Sequence, residues 1–96
     1  MAKVKFGVNI PVSVLKEGNK FIAYSPAFDI STSGKNYNEV KKRFGEIVGI
    51  FLEELIKKGT LEESLLDLGW RKTQSKLVPP VVISQEYQTI RMPARV

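Results

Sequence analysis

The hydrophobic period of this chain changes from two to about 3.6 at Val40, and that change limits what the chain can fold into. Upstream, the even positions Val4, Phe6, Val8, Ile10, Val12 and Val14 alternate with Lys5, Gly7, Asn9, Pro11 and Ser13. Alternation with β-branched residues on one side predicts a strand over 4–14 with one face on a core and the other in water. Pro11 cannot donate to a ladder, so the strand needs a bulge or an unpaired amide there. Gly18-Asn19 supplies a turn, and Phe21 to Tyr24 resume extended chain, so the first two strands are expected to form an antiparallel hairpin. Pro26 ends the second strand. Phe28, Ile30 and Thr32 then alternate as a short third strand stopped by Gly34, which reads as a positive-φ residue in the strand-to-helix turn.

From Val40 the apolar stripe runs through Phe44, Ile47, Val48, Phe51 and Leu55, opposite Lys41, Lys42, Glu46, Glu53 and Lys57. This predicts a long amphipathic helix, with Asn36 and Glu39 as a capping pair at its start. Glu53 with Lys57 and Glu54 with Lys58 have the favourable four-residue spacing. Gly45 and Gly49 lie inside the helix, where each costs about 1 kcal/mol relative to Ala. Close approach of a strand, a second helix or a partner subunit would compensate, and packing within the chain is the preferred reading. Gly59 closes the helix, and Thr60 with Glu63 forms a second capping box for a short helix ended by Gly69. Trp70, the one tryptophan, is expected to fold back onto the stripe as part of the core.

Residues 71–80 are polar, end in Pro79-Pro80 and read as an extended connector. Val81, Val82 and Ile83 open a final strand that continues through a polar middle to Ile90 and Met92. The 96 residues therefore read as one α+β domain, with 71–96 as connector plus final strand. The order is β-β-β-α-β. A crossover from the third strand places the last one beside the first, so the expected sheet order is 3-2-1-4 with the helices on one face. The other face is left open or handed to a partner.

Composition narrows the chemistry. With no cysteine and no histidine, the chain lacks disulfides, thiol nucleophiles, imidazole bases and the usual zinc ligands. No apolar stretch approaches the roughly 20 residues of a membrane span, and the first residues lack an export-type apolar core, so a cytoplasmic, non-membrane protein is expected. The net charge is +5, divided as +3 over residues 1–37, −2 over 38–70 and +4 over 71–96. Such a field favours an anionic partner without specifying one, and lysine-rich solubility is the simpler account.

One segment goes further. Tyr24-Ser25-Pro26-Ala27-Phe28-Asp29-Ile30-Ser31-Thr32-Ser33-Gly34, followed by Asn36, Glu39 and a stripe ending in Phe51-Leu52-Glu53, resembles the HicB-like antitoxins. In that family a Pro-containing turn leads through a Leu-Asp-hydrophobic step to Thr-x-Gly, and Glu-Ala opens a long helix. Here Phe28 stands for the Leu and Val40 for the Ala. Leu68-Gly69-Trp70 is similar to a Leu-Gly-Trp step in one branch of the family. The likeness covers about residues 20–70, and the motif positions are Tyr24, Pro26, Asp29, Thr32, Gly34, Glu39, Gly69 and Trp70. It implies a partial ribonuclease-H-like domain and a noncatalytic role: neutralising a small HicA-type ribonuclease toxin by covering its active site. Many members add a DNA-binding domain. The 26 residues after Trp70 hold no amphipathic helix for one, so direct operator binding is not expected. The alternative is a stand-alone regulatory or nucleic-acid-binding domain of the same fold.

Catalytic readings fare poorly. A two-metal nuclease centre needs clustered carboxylates, and this chain offers Asp29 in the sheet region with its remaining acids on helix surfaces or isolated. Asp29 is better read as accepting from nearby turn amides. Thr32-Ser33-Gly34-Lys35 before the helix lacks the rest of any phosphate-binding motif. Arg71, Lys72, Lys76, Arg91 and Arg95 could meet a nucleic-acid backbone, but only Tyr87 among them could stack on a base. No catalytic residue, metal ligand or cofactor is assigned. Val81, Val82, Ile83, Ile90 and Met92 are the candidate subunit interface of a homodimer or higher symmetric oligomer.

Overall fold

The computed structural model describes residues 7–94. Three antiparallel strands, β1 (Ser13–Glu17), β2 (Lys20–Ser25) and β3 (Ile30–Gly34), form a meander in the order β1-β2-β3. The turn between β1 and β2 is Gly18-Asn19, with Glu17 opposite Lys20 and Gly18 at φ +61°, a conformation glycine adopts without steric cost. The expected hairpin is present, but its first strand is shorter than the alternation indicates. Residues 7–12 have no regular structure, and 4–6 lie outside the described residues. Pro11 removes a ladder donor just where pairing would have to continue, and Val8 is correspondingly exposed. Phe28, expected in the third strand, sits instead in the turn at residues 26–29.

Helix α1 (Tyr37–Lys58) follows β3 almost directly. Asn36 is its N-cap, and its Oδ1 accepts from the Glu39 N–H at 2.8 Å. The Glu39 carboxylate pairs with Arg43 at 3.1 Å. That is the i,i+4 ion pair found among the described residues, rather than Glu53–Lys57 or Glu54–Lys58. Gly59, at φ +70° and ψ 24°, ends the helix in the left-handed conformation, its N–H bonding back to the Ile56 carbonyl. A second, short helix, α2 (Leu61–Asp67), begins at Thr60 without the predicted side-chain cap. Thr60 has ψ 17°, outside the extended region from which a capping hydroxyl reaches the first-turn amides. Gly69, at φ +97°, turns the chain back so that Trp70 enters the core.

That core is Ala23, Ala27, Phe28, Val40, Phe44, Val48, Leu65 and Trp70. α1 packs on β2 and β3, and α2 packs on α1. In the strand register Val14, Ala23 and Thr32 are level, and this face, with Phe21 and Ile30, meets the helix. Phe28 is the hinge of the packing: its ring lies 5.5 Å from that of Trp70 and 6.0 Å, edge-on, from that of Phe51.

Beyond Trp70 the structure departs from expectation. The predicted connector is a small hairpin of β4 (Arg71–Thr73) and β5 (Lys76–Val78), turning at Gln74 with φ +52°. The predicted final strand does not form: residues 79–94 carry no strand, so the order 3-2-1-4 is realised only as its 3-2-1 part. A strand gains ladder hydrogen bonds only beside a neighbour, and no backbone pairing closes between residues 79–94 and the three-stranded sheet. The molecule is elongated in consequence, with a radius of gyration of 16.8 Å. A compact domain of this length has about 12–13 Å.

Candidate functional site

The motif positions come together around one turn. Ser25, fully buried at the end of β2, accepts from the Ala27 N–H through Oγ at 3.1 Å, and the Ala27 carbonyl accepts from Trp70 Nε1 at 2.7 Å. Both polar groups of Ala27 are thus satisfied inside the core, which lets the turn lie under Trp70 without an orphaned donor or acceptor. Pro26 is exposed on its outer side. Asp29 ends the turn at φ +54°, a region Asp tolerates better than most residues, and accepts from the Tyr24 hydroxyl at 3.0 Å rather than from turn amides. The hydrogen bond to Asp29, slight burial and the Asp29 charge together hold the Tyr24 phenol above its ordinary pKa.

Gly34 has a different reason for being glycine than the one its position suggests. Its φ is not positive. A Cβ there would lie 2.8 Å from the Val40 nitrogen and 2.9 Å from the Val40 Cα, so the absent side chain admits the first turn of α1 onto the end of β3. Thr32 is level with Ala23 on the helix side, and Glu39 supports the helix start through Arg43, whose guanidinium also donates to the Ser33 carbonyl at 3.2 Å. Gly69 and Trp70 close the turn from the far end. Every motif residue except exposed Pro26 therefore has a structural part in this junction. Gly45 and Gly49 do not behave as expected: among the described residues a Cβ at either would meet nothing within 4 Å, so no close approach there compensates them.

With α1 on one side, the opposite face of the sheet carries no helix among the described residues. Ser13, Tyr24 and Ser31 are level on it, as are Leu15, Ile22 and Ser33. Leu15 is 55% exposed, while Ile22 and Tyr24 are half-buried. The centre is apolar, the margins are small hydroxyls, and Glu17 and Lys20 stand at the hairpin end. Such a surface suits another protein better than a small anion. Around the end of the sheet where β2 starts and β3 runs into α1, Lys20, Lys35 and Arg43 line a shallow cleft. Arg43 is already engaged by Glu39 and Ser33. Lys72 pairs with Glu62 at 2.9 Å, while Arg71 and Lys76 are exposed on the small hairpin. Among the described residues, no three acidic side chains stand close enough to share a metal ion.

The candidate interface residues all lie on the extended segment 79–94. Val81, Ile83, Ile90 and Met92 are 67–97% exposed and Val82 is 41% exposed. The segment passes beside β1, where Gln85 Nε2 donates to Ser13 Oγ at 3.3 Å, and a groove runs between residues 12–15 and 84–87. Sequence reasoning did not single out three participants, Ser25, Leu15 and Ile22. The spacing Ser25-x-Ala27 is a short turn signal that identifies the first, but Leu15 breaks the alternation of the stretch before it and acquires its face only from the hairpin register. No helix among the described residues is long and apolar enough to cross a membrane. No protein-family model, curated protein or solved structure matches the chain.

Proposed function

We propose that the chain is a noncatalytic binding module of the antitoxin type, which neutralises a small HicA-like ribonuclease toxin by covering its active site. The observation that carries this reading is the division of labour in the sheet. The residues that resemble the HicB-like motif, Tyr24 apart, are spent on the junction of β2, β3, α1 and Trp70, and the face so supported presents Leu15, Ile22 and Tyr24 outward. A rigid sheet backed by a helix holds such side chains in fixed positions, which lowers the ordering cost of binding a protein. In this reading the partial ribonuclease-H-like fold is a scaffold without a nuclease centre.

The test uses a small HicA-like ribonuclease toxin, taken from the neighbouring reading frame where one is encoded there. Co-expression is expected to relieve toxin-induced growth arrest, and the purified chain to inhibit RNA cleavage stoichiometrically. Leu15→Asp with Ile22→Asp should weaken inhibition at least tenfold while leaving the far-ultraviolet circular dichroism unchanged. Undiminished growth arrest with the wild-type chain, or full inhibition by the double variant, would count against the reading.

A further inference from the structure

We infer that two copies of this chain associate by exchanging the extended segment, residues 81–92 of each docking along the outer edge of β1 of the other. This goes beyond the toxin-binding reading and does not require it.

The first observation is an edge. Among the described residues β1 is hydrogen-bonded to β2 alone, so its other side offers the backbone donors and acceptors of an unpaired strand. The second is a segment without a sheet. Residues 79–94 are free of helix and strand, yet Val81, Ile83, Tyr87, Ile90 and Met92 are each at least two-thirds exposed. These five side chains carry roughly 500 Å² of apolar surface, far more than isolated exposed residues usually contribute to one short stretch. The third is the route. The segment already runs past β1, but within one chain it makes a side-chain contact, Gln85 to Ser13, across a groove. No backbone ladder closes, although paired strands need an approach to about 4.8 Å.

A second copy meets these conditions together. Each chain carries one free edge and one unpaired segment, so a twofold axis matches both pairs with nothing left over. β1 is five residues long, so it covers part of each segment, and two such contacts with their receiving strands remove on the order of 1,000 Å² from water, the lower end of specific interfaces. Pro79-Pro80 precedes the segment and holds its departure from β5 in an extended conformation. Twelve residues of extended chain span about 40 Å, of which the five-residue β1 edge takes about 17 Å, leaving the rest for crossing to a neighbour. The added strand then takes the place beside β1 that the crossover argument assigns to the fourth strand of the sheet, supplied from the other chain.

The chain has no cysteine, so single introduced thiols report on the exchange without background. In the full chain, light scattering at micromolar concentration is expected to give twice the chain mass. Refolding a mixture of the Ser13→Cys and Gln85→Cys variants and treating it with a short bis-maleimide should yield covalent pairs joining the two variants. Ile83→Asp with Ile90→Asp should halve the mass while leaving the circular dichroism of the folded body intact. A monomeric wild-type chain overturns the proposal, as does a dimer in which the mixed thiols fail to cross-link or the double Asp variant keeps its mass. Because these measurements use the chain alone, their failure is separate from any failure to inhibit a toxin.

Discussion

Replacing Trp70 tests the junction directly, because the ring contributes through two separable effects. It is 5% exposed, and a ring of about 200 Å² removed from water at about 25 cal/mol per Å² contributes roughly 5 kcal/mol. The unfolded chain already buries part of that surface, which lowers the figure to about 3–4 kcal/mol. The second effect is the hydrogen bond from Nε1 to the Ala27 carbonyl, at 2.7 Å inside the core. Trp70→Phe keeps most of the apolar contact with Phe28 and leaves that carbonyl unpaired, at a cost of about 1–3 kcal/mol. Trp70→Ala should cost about 3–5 kcal/mol, a large part of the roughly 5–10 kcal/mol available to a domain of this size. Urea unfolding followed by circular dichroism at 222 nm measures both variants. A loss below about 1 kcal/mol for Trp70→Ala, or equal losses for the two, would refute the reasoning.

Gly34→Ala should destabilise by about 1–3 kcal/mol, since the new methyl meets backbone at Val40 that cannot move without displacing α1; thermal unfolding checks it. Gly45→Ala and Gly49→Ala should each stabilise by about 0.5–1 kcal/mol, because the helix gains propensity and nothing stands in the way; unchanged or lowered melting temperatures would contradict this. The Tyr24 phenol, held up by Asp29, should ionise above the ordinary tyrosine value, and Asp29→Asn should bring it back down; absorbance at 295 nm follows the titration. The same link makes its contribution to stability complete below the unfolded tyrosine pKa and lost as pH rises through the folded one.

What the sequence makes legible here is local. The Gly18-Asn19 turn, the Asn36 cap and the Gly59 stop are each decided by residues within a few positions of one another, and each is present; of the predicted stripe Val40, Phe44, Val48 and Phe51 meet the core, while Ile47 is exposed and Leu52 packs in its stead. Trp70 was placeable because an aromatic just after a helix end has few places to go except back onto the helix. The failures share a different cause. Gly34 is defined by the backbone of Val40 across a strand-to-helix junction, and the Asp29 partner is a tyrosine five residues upstream whose direction depends on the strand pleat. The β4–β5 hairpin turns at Gln74-Ser75, with neither glycine nor asparagine to announce it. A strand at 81–92 could not be settled by its own residues at all, since its formation depends on which edge it finds. For the candidate site, periodicity was enough to expect an uncovered sheet face, but which side chains occupy it followed from the register.

The bond between Ala27 and Trp70 also bears on the order in which the molecule assembles. β1, β2, β3 and α1 meet their neighbours in sequence, through short turns, and such contacts form quickly because little chain must be closed. The Trp70 bond joins residues 43 positions apart, and it can form only after α1 has carried the chain back past the sheet. It is therefore expected to be made late and released early, with α2 detaching while the three strands and α1 hold together. Amide hydrogen exchange would then divide the chain in two: slow exchange from β2 through the middle of α1, and faster, jointly opening amides from Leu61 to Trp70.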